Sequence, residues 1–63
     1  MKLWIARESD GELYAYETKP SYDKFDDNYD SDGKWFYMDI HLFPEVTFEN
    51  SPQLVELKLV KEE

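Results

Sequence analysis

Two runs of β-prone residues open the chain, Lys2-Leu3-Trp4-Ile5-Ala6-Arg7 and Glu12-Leu13-Tyr14-Ala15-Tyr16-Glu17-Thr18, on either side of Ser9-Asp10-Gly11. Asp-Gly between two such runs is the strongest short-range hairpin signal, because both residues accept the positive φ that a tight turn demands. A two-residue loop at Asp10-Gly11 predicts Ser9 opposite Glu12, Arg7 opposite Tyr14, Ile5 opposite Tyr16 and Leu3 opposite Thr18. Successive side chains along a strand point to opposite faces. This register therefore puts Trp4, Ala6, Leu13 and Ala15 on one face and Leu3, Ile5, Arg7, Tyr14 and Tyr16 on the other. Both faces are substantially apolar, so both need cover.

Pro20 closes the second run, having no N–H to give a ladder. From Ser21 to Gly33 the chain interleaves Asp23, Asp26, Asp27, Asn28, Asp30 and Asp32 with Tyr22, Phe25 and Tyr29, and reads as an Asp-rich loop. A connection of this length implies function, disorder or packing of its own aromatics. Lys34 to Ile40 predicts a third strand, with Trp35 and Tyr37 on one side and Phe36, Met38 and Ile40 on the other, apolar on both faces as a central strand is. His41 to Pro52 is broken by Pro44, Asn50, Ser51 and Pro52 into turns, with a short extended piece at Val46 to Phe48. Gln53 to Lys61 alternates, with Val55, Leu57 and Leu59 inward and Glu56 and Lys58 outward, as a half-buried strand does. Residues 61–63 form a solvated tail. No segment carries helical periodicity. The pattern predicts an all-β fold: one small domain over residues 1–63, a small antiparallel sheet of three to four strands beginning with a β-hairpin, and little or no helix.

Length sharpens this picture. A chain of 63 residues without cysteine buries only roughly 60% of its unfolded surface and has no disulfide to help it. Its core must be aromatic-rich or shared with a partner, and with 17% aromatic residues it has the means for the first. Two covers for the second sheet face follow. One is the chain itself, through Tyr22, Phe25, Phe43 or Phe48. The other is a partner, since a large exposed apolar patch marks an interface and a symmetric homodimer is its commonest form.

Charge narrows the partners. Fifteen acidic residues against seven basic ones give a net charge of −8, which repels nucleic acid phosphate and anionic membrane surfaces alike. Direct nucleic acid and membrane binding are not expected. Met1-Lys2 is followed by Arg7-Glu8 before an apolar signal-peptide region of about 7–15 residues can form, so a cytoplasmic location is expected.

Candidate chemistry is sparse. Asn28-Tyr29-Asp30-Ser31-Asp32-Gly33 matches the start of a calcium loop, with oxygen ligands at alternate positions from Asn28, Asp30 and Asp32 and a glycine at the sharp turn. The match then departs: Asn stands first, Asp39 falls where a bidentate Glu belongs, and an aromatic strand follows in place of a helix. Asp, Asn, Ser and Gly are also ordinary turn formers. His41 is the only histidine, and no nucleophile, second histidine or Gly-rich motif accompanies it. A pocket of ~300–1,000 Å³ is hard to build on a single small sheet. Neither an enzyme nor a cofactor is expected.

Leu3-Trp4-Ile5-Ala6-Arg7, Asp10-Gly11-x-Leu13 and Leu42-Phe43-Pro44-Glu45-Val46-Thr47-x-Glu49-Asn50-Ser51-Pro52 together resemble a group of short uncharacterised acidic proteins of gut bacteria and their prophages. The likeness covers most of the chain outside the Asp-rich loop. It implies a mobile-element accessory role and carries over no functional residue.

The leading expectation is a non-enzymatic protein-protein interaction module, homodimeric or bound to another protein, that works through an aromatic sheet face and the acidic loop. Its contact residues are Trp4, Tyr14, Tyr16, Asp26, Asp27, Asp30, Trp35 and Tyr37. A second expectation is a prophage-type inhibitor whose carboxylates mimic nucleic acid phosphate towards a basic protein. Calcium binding at Asn28, Asp30 and Asp32 is a third.

Overall fold

A glycine in the left-handed region sets the geometry of the first hairpin. Gly11 has φ +97°, a conformation that costs any L side chain on the order of 1–2 kcal/mol. Its N–H donates to the Glu8 carbonyl at 3.0 Å while the Glu8 N–H donates to the Glu12 carbonyl at 2.8 Å. The loop therefore holds Ser9, Asp10 and Gly11, a turn closed by a left-handed residue, and Asp10 Oδ1 reinforces it by accepting the Glu12 N–H. The computed structural model describes residues 1–57, and the strands that this turn joins are β1 (Lys2–Arg7) and β2 (Leu13–Tyr16).

One extra loop residue moves the whole register. Trp4 pairs with Tyr16, Ile5 with Ala15, Ala6 with Tyr14 and Arg7 with Leu13, one step from the pairing that a two-residue loop predicts. Because the side-chain period is two, this step changes which residues share a face. Leu3, Ile5, Arg7, Leu13 and Ala15 face one way, and Trp4, Ala6, Tyr14 and Tyr16 the other.

The architecture is all-β. A four-stranded antiparallel sheet runs in the order β5-β2-β1-β6, with β5 (Trp35–Met38) and β6 (Gln53–Glu56) at its edges. The third predicted strand is therefore an edge strand, not a central one; β1 and β2 are central, which is why Ile5, Ala6, Leu13 and Ala15 are almost fully buried. The Asp-rich segment is a second, two-stranded sheet of β3 (Ser21–Asp23) and β4 (Asn28–Asp30). It folds as a hairpin because Tyr22 and Tyr29 face each other across it, rings 5.4 Å apart, while Asp23 Oδ1 accepts the Phe25 N–H in an Asx turn. Asp27 takes φ +54° to complete that turn, a conformation Asp tolerates better than most residues. Among the described residues there is no helix, and none long and apolar enough to cross a membrane.

The core lies on the first face. Leu3, Ile5, Leu13, Ala15 and Val46 form its buried centre, with Met38, Phe43, Val55 and Leu57 packed against it. The inward roles of Val55 and Leu57 hold, and Leu59 lies outside the described residues. Val46 is buried from a turn rather than an extended piece, its N–H donating to the Phe43 carbonyl.

Arg7 ties this irregular segment down. Its Nε donates to the Val46 carbonyl at 2.7 Å, one terminal nitrogen to Gly11 and Ile40, and the other to Leu42 and Phe43. Among the described residues no carboxylate takes part. A planar fork with five N–H donors is the one side chain able to satisfy so many carbonyls at once. Phe43 sits at φ +47°, which for a bulky residue costs on the order of 1–3 kcal/mol; its partly buried ring, packed against the core, and its Arg7-bound carbonyl offset that strain.

Two stability outcomes follow. Arg7→Lys keeps the charge but loses the fork and lowers unfolding free energy by about 2 kcal/mol in urea titration; a change within error contradicts the clamp. Gly11→Ala meets no atom within 4 Å, so its cost of about 1 kcal/mol is backbone strain alone. An unchanged midpoint for Gly11→Ala contradicts the left-handed turn.

Candidate functional site

The second sheet face gathers the aromatic residues. Register places Trp4, Tyr16 and Trp35 in one row and Ala6, Tyr14 and Tyr37 in the next, so the five aromatic contact residues expected from sequence, which the two-residue loop divides between faces, share one. Tyr14 is their hub, its ring 4.9 Å from Tyr37, 5.7 Å from Trp35 and 6.4 Å from Tyr16. Offset and edge-on pairs at these separations contribute about 0.5–1.5 kcal/mol each beyond area burial.

The chain covers part of this face with its own second hairpin. Tyr29 N–H donates to Glu8 Oε1 at 3.0 Å, Ser9 Oγ to Asp27 Oδ2 at 3.0 Å, and Tyr16 OH to the Tyr29 carbonyl. Tyr29 OH in turn reaches the Ser51 carbonyl, and its ring packs with Tyr22 and Phe48. Of the four residues expected to provide cover, Phe43 packs on the core face and Tyr22 and Phe48 pack around Tyr29, whereas Phe25 is 91% exposed at the hairpin tip. Over Trp4 the cover is Lys19, its ammonium 5.3 Å from the ring centre. The part left open is the β5 side, where Trp35 and Tyr37 are half-exposed or more.

Between the hairpins lies a cleft of about 370 Å³. Its floor is Tyr14, Tyr16 and Trp35; Glu8, Asp10 and Glu12 form one wall, and Asp27, Asn28, Tyr29 and Asp30 the other. A pocket that a single small sheet can hardly build forms here because the second hairpin supplies the opposite wall. Five carboxylates border the cleft and, among the described residues, no Lys, Arg or His does. Asp27 and Asp30, expected as contacts, are here, while Asp26 is exposed at the tip. Trp4 and Tyr37 lie on the same face outside the cleft.

Burial first, and neighbouring carboxylates second, act on the titrating groups of the cleft. Glu8 is held above the ordinary carboxylate range, first by burial and then by Asp10, Asp27 and Glu12, against the lowering effect of the Tyr29 N–H. Burial, with Glu8 and Asp30 nearby, pushes Tyr16 up to about 12. Tyr14 is raised as well, by desolvation and by its neighbours Tyr37 and Glu12, and its hydroxyl donates to Glu12 Oε2 at 3.1 Å. Asp27 is held low by hydrogen bonds from Tyr22 and Ser9. The tyrosines are therefore uncharged donors at neutral pH, and the carboxylates supply the field.

The other candidates stand apart. Asn28 and Asp30 lie in the extended strand β4 and Asp32 beyond it, where a calcium loop wraps tightly around its ion; among the described residues no three His, Asp or Glu side chains converge as metal ligands do. His41 is 87% exposed, its ring nitrogen 3.0 Å from Asp39. Glu8, Asp10, Glu12 and Tyr29 also line the cleft, although nothing in their local sequence by itself marks them as contacts. The available signal was that Glu8 and Glu12 flank the turn and face the same way once Gly11 joins the loop. Comparison with protein-family models, with curated proteins and with solved structures found no match to this chain.

The raised Glu8 fixes the sign of a pH effect. A carboxyl whose folded pKa lies above its ordinary value of 4.5 contributes stability that is full below that value and is lost as pH rises through the folded pKa. At neutral pH the ionised Glu8 thus costs stability, and Glu8→Gln, which keeps an acceptor for Tyr29, melts at higher temperature than the parent. The gap closes as pH falls to about 4. A lower melting temperature for Glu8→Gln at neutral pH contradicts the assignment.

Proposed function

We propose that the protein is a non-enzymatic protein-interaction module that captures a basic segment of a partner protein in the cleft between its two hairpins. The observation that carries this reading is a single cleft with an aromatic floor, bordered by five carboxylates and, among the described residues, by no basic one. Like charges held together repel one another and weaken the fold; a cationic guest relieves the repulsion and gains cation–π contact with the rings. A carboxyl raised by burial inside a cleft, as Glu8 is, is a recurrent feature of ligand sites. A nucleic-acid-binding protein, basic by necessity, belongs to the class of partners this chemistry admits. Long-range attraction from a net charge of −8 speeds encounter.

Titration of a short peptide of mixed Lys and Arg, followed by tryptophan fluorescence, tests the reading. Saturable binding is expected, weakening steeply from ~0.1 M to ~1 M salt as the Debye length contracts from about 10 to about 3 Å. It should also weaken in Glu12→Gln/Asp30→Asn and be unaffected in Asp26→Asn. Equal loss in all variants, or binding of a Ser-substituted peptide as strong as that of the basic one, contradicts it.

A second reading is favoured by β5. This edge strand carries Trp35, Phe36 and Tyr37 at 52%, 45% and 66% exposure, and an apolar edge is a template for pairing with another chain. A second copy pairing along β5 gives a symmetric homodimer. Sedimentation equilibrium should then find a dimer that Phe36→Lys returns to monomer. A monomeric parent chain at high concentration contradicts the dimer and leaves the cleft reading untouched.

A further inference from the structure

Resting on the reading of β5 as a dimer edge, we propose that two copies of the chain join there in one register, with Phe36 opposite Phe36 on the two-fold axis and Trp35 opposite Tyr37 of the other copy, so that two four-stranded sheets become one continuous sheet.

Which backbone groups β5 leaves open follows from the ladder inside the chain. In an antiparallel pair a residue points its N–H and its carbonyl at the same neighbour, and successive residues alternate between the two sides of the strand. Glu17 N–H donates to the Lys34 carbonyl at 3.1 Å, so Lys34, and with it Phe36 and Met38, turns towards β2. The first hairpin gives the same answer independently. Glu8 N–H donates to the Glu12 carbonyl, which directs Glu12, Tyr14 and Tyr16 to β1 and leaves Leu13, Ala15 and Glu17 for Met38, Phe36 and Lys34. Trp35 and Tyr37 therefore hold two donors and two acceptors out at the free edge, and among the described residues nothing bonds to them.

This edge is bounded at both ends and carries no protection. The chain turns away at Asp39, whose carbonyl accepts the Leu42 N–H at 3.0 Å, and ahead of β5 the Gly33 N–H is taken by Ser31 Oγ. Between them run Trp35, Phe36, Tyr37 and Met38, without the charge or proline that natural edge strands use against pairing. The opposite edge has both. Met1 and Leu57 bond each other through N and O, which leaves Leu54 and Glu56 outward on β6, with Pro52 just before the strand and the Glu56 charge on its rim.

Symmetry then selects the register. A two-fold relating two antiparallel edge strands stands perpendicular to the sheet, so aromatic face continues into aromatic face and a residue opposes only those an even number of places away. With Phe36 on the axis, Trp35 and Tyr37 exchange both bonds with Tyr37 and Trp35 of the other copy, and every open group is satisfied. With Tyr37 or Met38 on the axis, an open N–H falls on the Asp39 carbonyl that Leu42 uses; with Trp35 there, the Tyr37 carbonyl meets the Gly33 N–H given to Ser31. Phe36 thus meets its own copy in a non-hydrogen-bonded pair, where Cα atoms approach to about 4.5 Å. Trp35 and Tyr37 form an aromatic cross-strand pair.

A second copy meets every requirement of this edge: equal length, the same turns at both ends, and no charge between Lys34 and Asp39 where the net charge of −8 would otherwise oppose association. The core gives the motive. Ile5 and Leu13 are its largest fully buried side chains, and a domain this small gains from surface shared with a neighbour. Three rings of about 150–250 Å² each, roughly half exposed, bury less in the pair than the ~1,200 Å² of a standard interface. The dimer is therefore weak and concentration-dependent, and it tightens with salt as repulsion between two acidic copies is screened.

Single-cysteine cross-linking tests the register, since the chain has no thiol of its own. Phe36→Cys and Tyr37→Cys, each checked for native circular dichroism, are oxidised at a concentration where the parent chain sediments as a dimer. Phe36→Cys should yield the covalent dimer about tenfold faster, because its two Cα atoms lie within disulfide reach and those of Tyr37, set two residues out of step, do not. Faster linkage through Tyr37→Cys, or linkage through neither, overturns the register while the dimer stands. Assemblies that grow without limit overturn it in favour of β5 pairing with β6 of the next copy. A parent chain that stays monomeric at millimolar concentration overturns the register and the dimer together. If Phe36→Cys proves unfolded, the parent chain decides, as an equal mixture of isotope-labelled and unlabelled copies examined by NMR. An Hα–Hα contact between Phe36 of one copy and Phe36 of the other is expected, and a contact from Phe36 to Met38 in its place, or no contact between copies, overturns the inference.

Discussion

The pairing of Glu8 with Glu12 across Gly11 is the constraint from which the remaining structure follows. It sets the register of the two central strands, and with it the sorting of every side chain on them between a core face and an aromatic face. Aliphatic Leu3, Ile5, Leu13 and Ala15 then meet one another, and Trp4, Tyr14 and Tyr16 meet Trp35 and Tyr37. The same turn brings Glu8, Asp10 and Glu12 to one wall of the cleft. A single left-handed glycine thus positions both the core and the site.

Covering the two faces takes two different devices. On the core face an irregular segment rich in turns supplies Phe43 and Val46, and its carbonyls, which have no ladder to join, are met by Arg7. Backbone acceptors left unpaired there would cost about 1–3 kcal/mol each, so the segment depends on that guanidinium. On the aromatic face a second hairpin leans on Glu8, Ser9 and Tyr16 through Tyr29 and Asp27. Because that hairpin covers only part of the face, a cleft remains where its acidic strand meets the acidic turn of the first hairpin. Burial in this cleft, with Asp10, Asp27 and Glu12 nearby, holds the Glu8 carboxyl above its ordinary range.

Much of the sheet was legible in the alternation of apolar and polar residues: the opening hairpin, the aromatic strand at Trp35 to Met38 and the last strand from Gln53 are where the pattern puts them. The register was not, because Asp-Gly suits both a two-residue loop and the end of a three-residue one, and only the φ of Gly11 decides. The Asp-rich stretch concealed a hairpin, since its turn-forming residues outnumber the Tyr22 and Tyr29 that pair across it. Trp4, Tyr14, Tyr16, Trp35 and Tyr37 were legible as contacts by their chemistry. Their union on one face, and the entry of Glu8, Glu12 and Tyr29 into the site, depend on the docking of two hairpins distant in sequence, which no local pattern encodes. Arg7 likewise reads as an ordinary strand residue until the carbonyls of Ile40, Leu42, Phe43 and Val46 are brought to it.

Mapping a basic peptide onto the folded chain through amide chemical shifts decides whether charge and aromatic surface are gathered at one place to receive a cation. Changes concentrated at Glu8, Glu12, Tyr14, Asp30 and Trp35 are expected, with Glu17, Glu45 and Glu49 unmoved. Shifts spread evenly over exposed acidic residues, or absent from the cleft, would contradict it.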